Sequence, residues 1–118
     1  MTDEAKRMAY DDVLATRVRR ALGSARPIEE KRMFGGITFM VRGKMCVSVG
    51  KDRLMCRIDP AVHDAAVQRD GCRAVVMKGR PLRGYVHVDR DAVRTKRGLD
   101  YWVALALDYN RRARKRPR

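Results

Sequence analysis

The stretch ITFMVRGKMCVSVGKDRLMCRI, residues 37–58, decides the fold. It contains three short runs in which side-chain character alternates with a period of two: Ile37–Val41, Met45–Val49 and Leu54–Ile58. A period of two is typical of a β-strand that has one buried face. The links between the runs are too short for the crossover that parallel strands need. The stretch therefore predicts an antiparallel three-stranded meander.

Elements on both sides of this meander complete an α+β pattern. Upstream, Ala9–Leu22 has apolar residues at helical spacing, and Glu29–Phe34 is a candidate strand that ends at Gly35-Gly36. The elements predicted downstream are a short helix opened by Asp59-Pro60, strands at Ala74–Met77 and Tyr85–Val88, and a last helix at Leu99–Ala113, preceded by Gly98. We expect one antiparallel sheet, the meander plus two further strands, packed by the N-terminal and C-terminal helices.

The length of the chain, 118 residues, fits one domain. We divide it into a loose leader at 1–8, an α+β domain at 9–110 and a basic tail at 111–118. Its apolar runs are far shorter than the ~20 residues of a membrane span, and the N-terminus has no apolar signal segment. We therefore expect a cytoplasmic protein with no membrane partner.

Positive charge is concentrated at the C-terminus. The chain has 28 Lys and Arg against 14 Asp and Glu, a formal net charge of +14, and its last eight residues hold six of the cations and no acid. Such a field attracts polyanions, so DNA or RNA is an expected partner. A tail that only solubilises the chain is the alternative. The candidate phosphate contacts are Arg111, Arg112, Arg114, Lys115, Arg116 and Arg118, with Arg17, Arg20, Lys44 and Arg80 in the body.

The sequence contains no pattern typical of catalysis, of a metal site or of a bound cofactor. Its three cysteines form no Cys-x-x-Cys pair and are expected to be reduced and buried. His63 and His87 have no nucleophile neighbour in sequence. We expect no catalytic residue, metal or cofactor, and thus no enzyme. An enzyme or small-ligand binder would instead need Cys, His and Asp groups that converge in a cleft.

Two further features have a structural and a functional interpretation. The segment Gly79–Tyr85 predicts either a bulged connection or a presented interaction loop, with Gly79, Arg80, Pro81, Arg83 and Gly84 as the loop residues. Five methionines in strand-like stretches are either core filler or an adaptable binding surface. They are Met33, Met40, Met45, Met55 and Met77.

Short signatures along the chain carry a resemblance to a known family. They are Met8-Ala9-Tyr10-Asp11-Asp12, Lys31-Arg32-Met33-Phe34-Gly35-Gly36, Phe39-Met40, Leu54–Ile58, Gly79-Arg80-Pro81 with Gly84-Tyr85-Val86, and Trp102-Val103. In this order and spacing the chain resembles the TfoX N-terminal-domain family, whose longer members are competence regulators also called Sxy. The structural motif residues of the resemblance are Met33, Phe34, Gly35, Gly36 and Trp102, and Leu82 stands where many relatives carry Met.

The resemblance implies a small α+β domain, with a role in transcriptional activation of DNA-uptake genes through other regulators. Two functions follow as hypotheses. The first is a nucleic-acid-associated transcriptional regulator that contacts phosphates through its basic residues. The second is a protein-interaction domain that docks on a transcription regulator or on a second copy of itself through strand edges and methionine-rich strands.

Overall fold

The computed structural model describes residues 10–114. The predicted leader and the last four tail residues therefore lie outside the described residues. Helix α1, Asp12–Ala21, begins inside the predicted range because Asp11 caps it, and the Asp11 carboxylate accepts the backbone N–H of Leu14 at 3.0 Å. The helix ends at Gly23, whose φ of +60° suits a residue without Cβ.

Six strands form one open sheet in which every neighbouring pair is antiparallel. The strands are β1 Ile28–Met33, β2 Gly36–Val41, β3 Lys44–Val49, β4 Arg53–Arg57, β5 Cys72–Met77 and β6 Arg80–Asp89. Their order across the sheet is β1-β2-β3-β4-β6-β5, so β6 lies between β4 and β5. The predicted meander with two further strands is confirmed.

Short helical segments connect β4 to β5 and β6 to the last helix. A 3-10 turn, Pro60–Val62, and helix α2, His63–Ala66, link β4 to β5, and Asp59 caps the 3-10 turn, where the short helix was predicted to open. A second 3-10 turn, Arg90–Val93, leads to helix α3, Lys96–Asn110. In the part of the chain that the structure describes, no helix combines the length and the apolar character that a bilayer crossing requires.

Gly98 lies within the first turn of α3, so the expectation that it precedes the helix is wrong. Thr95 is the N-cap, and its hydroxyl accepts the backbone N–H of Gly98 at 3.0 Å. A Cβ at Gly98 would stand 2.5 Å from the carbonyl oxygen of Ala92. The glycine is needed for this close approach and not for ending a loop.

The segment predicted as an interaction loop, with Gly79, Arg80, Pro81, Arg83 and Gly84, is largely a strand, and the prediction of a loop is wrong. Strand β6 begins at Arg80, and the chain reverses over Lys78 and Gly79, both at positive φ. Such two-residue turns match the twist of a hairpin. Pro81 is tolerated because β4 pairs only with the second half of β6, from Tyr85 onward.

The main core lies between one face of the sheet and the two long helices. Sheet residues such as Phe39, Val47 and Val86 have no exposed surface, and they share one apolar cluster with Val18 of α1 and Trp102 of α3. Packing by the N-terminal and C-terminal helices is thus confirmed. We call the side of the sheet that packs against the helices the covered face. The opposite side is the open face, because no helix of residues 10–114 contributes to the apolar cluster there.

Candidate functional site

The open face carries its own apolar cluster. Directly opposed residues of antiparallel strands point to the same side, so the strand register assigns side chains to each face. The cluster consists of Met45, Met55, Val75 and Tyr85, with Met40 and Leu82 packed against it. The strands of this domain are therefore apolar on both sides in their central part.

A cavity of about 520 Å³ opens over this cluster, and we call it the groove. All five methionines of the described residues line it, together with Phe34, Leu82 and Tyr85. Methionine is flexible and polarizable, and it adapts to varied apolar partners. The methionines are thus not filler of the main core. They line an apolar cavity whose volume falls in the range of ligand sites in other proteins.

Two hairpin tips at diagonally opposite corners of the sheet close the groove. The β1–β2 turn contributes Met33 and Phe34, and the β5–β6 tip contributes Met77. These three side chains are between 36% and 47% exposed, although they are large and apolar. Exposed apolar groups that gather around a cavity are typical of a binding surface.

Phe34 has an unusual backbone conformation at the edge of the groove. Its φ is +56° and that of Gly35 is +74°, so the two residues form the turn of the β1–β2 hairpin. An L-residue with a Cβ in this region costs about 1–2 kcal/mol, and turns of this kind favour Asn or Gly there. The expected bend at Gly35 is confirmed. Gly36 serves another purpose, because a Cβ there would stand 2.0 Å from the carbonyl oxygen of Val49.

A second, smaller cavity of about 30 Å³ continues the groove toward the other end of the open face. Phe34 and Met55 line both cavities, and Ser48, Arg53 and His87 line only the second. Burial, and then the nearby Arg53 and Arg73 guanidinium groups, lowers the pKa of His87 to about 4. The imidazole is neutral at pH 7, so the positive charge beside this cavity comes from arginine.

The open face is more basic than acidic. The register places Lys31, Arg53, Arg57 and Arg73 on it, against the two acids Glu29 and Asp89. Asp89 pairs with Arg73 at 2.6 Å. Arg53 makes no ion pair within residues 10–114, and its side chain is exposed.

Lys44 and Arg57 border the groove but hold the C-terminus of α3. The Lys44 ammonium donates to the carbonyl oxygens of Asn110 and Ala113, and the Arg57 guanidinium donates to that of Arg114 at 3.0 Å. Cations suit these carbonyls because they carry the negative end of the helix dipole. The predicted phosphate contact Lys44 therefore has a structural role in this domain.

The other predicted phosphate contacts do not form one surface. Arg17 and Arg20 line a cavity with Lys96 at the start of α3, and α3 spans about 22 Å to the tail. Arg80 is exposed at the β5–β6 tip. Arg112 pairs with Asp59 at 2.8 Å and with Asp108 at 2.9 Å. Arg111 and Arg114 are exposed, and Lys115, Arg116 and Arg118 lie outside the described residues.

The first half of β6 is fixed to the neighbouring helical connection. Gly84, at a φ of +89°, donates its backbone N–H to Nδ1 of the buried His63 at 3.0 Å. Arg83 pairs with Asp64 at 3.1 Å. These contacts give His63 a structural role.

The cysteines take no part in the open face. Cys46, Cys56 and Cys72 are free thiols in the main core, as expected. Burial raises the pKa of Cys46 to about 12 and that of Cys72 to about 11, which disfavours the reactive thiolate. Among residues 10–114, no group of three or more His, Cys, Asp and Glu side chains could hold a metal ion.

The fold and the groove define a class of protein: an α+β domain whose sheet is covered by helices on one face and carries an apolar groove on the other. The TfoX N-terminal domain family matches residues 20–109, which is most of the chain. The chain belongs to this family. No curated protein and no solved structure matches it.

Neither the groove nor the role of Phe34 was predicted from the sequence. The open-face positions Met40, Met45 and Met55 could have signalled it, because they alternate with core residues in three neighbouring strands. The position of the hairpin tips above them depends on sheet twist, which the residue pattern does not specify.

Proposed function

We propose that this chain is a non-catalytic, regulatory protein-interaction module that docks a partner protein in the groove. One observation carries the proposal: all five described methionines line a single cavity on the open face. A main-core role would have distributed them among the residues that α1 and α3 cover. The resemblance to competence regulators favours a cytoplasmic transcription regulator as the partner.

The exposed rim favours a macromolecule over a small ligand. Met33, Phe34 and Met77 line the cavity with more than a third of their surface in water. A small molecule inside the groove would leave most of this apolar surface exposed. A peptide segment laid across both hairpin tips would bury it, and apolar burial drives such association.

A displayed library of random peptides of about 16 residues tests the proposal. We expect the full chain to enrich peptides with two or more apolar anchors. Phe34→Asn should weaken their binding about tenfold, since aromatic anchors dominate interfaces, while Asn still tolerates the turn conformation. Val13→Asn is the matched control, because Val13 is 71% exposed on α1.

Two outcomes would contradict groove docking. One is that the wild-type chain enriches no more peptides than the Phe34→Asn variant does. The other is that Val13→Asn weakens peptide binding as much as Phe34→Asn. The library experiment is paired with analytical ultracentrifugation. A dimer that Phe34→Asn dissociates would show that a second copy of the chain occupies the groove.

Association with a nucleic acid is the second candidate function, and the charge favours it. The formal net charge is +14, and Arg111 and Arg114 are exposed beside the three cations of the last four residues. Contacts would be made to phosphates and would not depend on base sequence. This function does not compete for the groove, which is apolar.

A salt-titrated gel-shift with duplex DNA, single-stranded DNA and RNA tests this second function. The truncated variant should end at Arg114, because Lys44 and Arg57 use the carbonyl oxygens of Ala113 and Arg114. If all three lost cations contact duplex DNA, the slope of log affinity against log salt should fall by about 2.7. An unchanged slope would exclude the three cations of the last four residues as phosphate contacts, and no binding at low salt would exclude the function.

A further inference from the structure

The open face also constrains the chemistry of the partner, on the assumption that the groove is the docking site. The groove is apolar in its centre, and the second cavity adds a polar end under Phe34. The two cavities share Phe34 and Met55, so the second lies directly beside the groove. The exposed Arg53 side chain at this end is therefore close to a partner residue that follows an apolar anchor in the groove.

The charge at this end favours an anion. Arg53 is exposed without an ion pair among the described residues, and the nearest acid across the ladder, Asp89, already pairs with Arg73. The neighbouring hydroxyls are occupied, since Thr38 donates to Ser48 at 2.8 Å and Ser48 donates to the carbonyl oxygen of Ile37 at 3.4 Å. Arginine is thus the group there that can still bind a charged ligand.

We propose that the groove binds an acidic amphipathic segment of a partner protein, with apolar side chains among the methionines and a carboxylate paired with Arg53. The excess of cations on the open face attracts such a segment and disfavours a basic one. A guanidinium matches a carboxylate in two parallel hydrogen bonds, so the pair also sets the register of the segment. A second copy of this chain is a poorer match, because its own open face is basic.

The test is a double-mutant cycle on a peptide selected by the library. The probes are the synthetic consensus peptide and its amide version, with Glu→Gln or Asp→Asn at every acidic position. They are titrated against the wild-type chain, Arg53→Gln and the control Arg97→Gln, since Arg97 is exposed on α3 and faces away from the groove. Affinity is measured by fluorescence anisotropy at low and physiological salt.

We expect the selected peptides to be rich in Asp and Glu next to their apolar anchors. The amide version should bind the wild-type chain about fivefold more weakly, which is the upper range for an exposed ion pair. The same change should cost less than about twofold in Arg53→Gln, because the partner of the carboxylate is gone. Arg97→Gln should behave as the wild-type chain.

The outcomes separate this inference from the proposed function. If acidic and amide peptides bind equally well and both need Phe34, the groove docks a neutral segment and the acidic partner is wrong. If the loss persists in Arg53→Gln, the carboxylate binds elsewhere and the assignment to Arg53 is wrong. If no peptide is selected at all, or a second copy fills the groove, docking of a partner peptide fails and this inference fails with it.

Discussion

The covered face and the open face belong to the same strands but use different kinds of apolar side chain. The covered face presents aromatic and β-branched groups such as Phe39, Val41 and Val47, which have few rotamers and no exposed surface. The open face presents thioethers, which have many rotamers. The difference teaches that one sheet can hold a rigid core on one side and an adaptable surface on the other.

The largest expected effect separates stability from binding. Phe39→Ala on the covered face should lower the free energy of unfolding by about 3–5 kcal/mol, since it leaves a cavity under α1 and α3. Met77→Ala, at a groove residue 44% exposed on the β5–β6 tip, should cost less than about 1 kcal/mol. Urea unfolding followed by circular dichroism measures both. Similar losses would mean that the open face is part of the rigid core.

The second effect concerns how the β1–β2 corner is fixed. Gly36→Ala should cost about 1–3 kcal/mol or more, because its Cβ would meet the backbone oxygen of Val49. Gly35→Ala is the control, since nothing lies within 4 Å of its Cβ and only the positive φ opposes it, at about 1 kcal/mol. Thermal and urea unfolding give the ranking. A Gly36→Ala variant as stable as Gly35→Ala would contradict the close strand packing.

The third effect is a pH dependence of the open face. Burial lowers the pKa of His87 below its ordinary value of 6.5 to about 4, so the unfolded chain binds a proton at a higher pH than the folded chain does. Stability should therefore fall as the pH is lowered from 6.5 toward 4. Arg53 and Arg73 add to the effect, and Asp89 opposes it. We expect a smaller loss of stability than for Gly36→Ala, because the His87 imidazole retains some solvent contact.

His87→Gln isolates this effect from the carboxylates, which begin to take up protons at the acid end of the same window. Its unfolding free energy, measured by urea denaturation at pH 7, 5.5 and 4.5, should decline less than that of the wild-type chain. Parallel curves for the two proteins would show that His87 titrates with an ordinary pKa.

The smallest effect on stability is expected at Phe34. Asn tolerates the left-handed turn conformation better than Phe does, so Phe34→Asn should leave the free energy of unfolding unchanged or raise it by up to about 1 kcal/mol. Its peptide binding should nevertheless fall, as described for the library. A variant that loses stability would assign Phe34 to the fold and would contradict its role as a binding anchor.

The sequence predicted the fold well where structure depends on local signals. Alternation in residues 37–58 gave the meander, and Asp59 marked the start of the short helical connection because capping is a property of a few neighbouring residues. The interaction loop failed because Gly79, Pro81 and Gly84 are typical turn residues. Here only Gly79 lies in the two-residue turn, and the other two sit where β6 has no β4 neighbour.

The site was less accessible to sequence reasoning than the fold. The methionines were recognised as either filler or surface, and period two alone could not decide which face the helices cover. The basic residues were counted correctly, but Lys44 bonds to Ala113, 69 residues away in sequence, and Arg112 to Asp59, 53 residues away. Such pairings depend on tertiary structure, which charge counting does not include.

The position of β6 between β4 and β5 has a consequence for how the chain folds. The meander pairs only strands that follow one another, whereas β4 and β6 join residues 28 to 36 positions apart. Longer loops close at a higher entropic cost, so the meander should form early and the β5–β6 hairpin should dock late. Because the groove takes Met77, Leu82 and Tyr85 from that hairpin, it comes into existence only at the final step. The ability to bind is then a kinetic marker of completed folding.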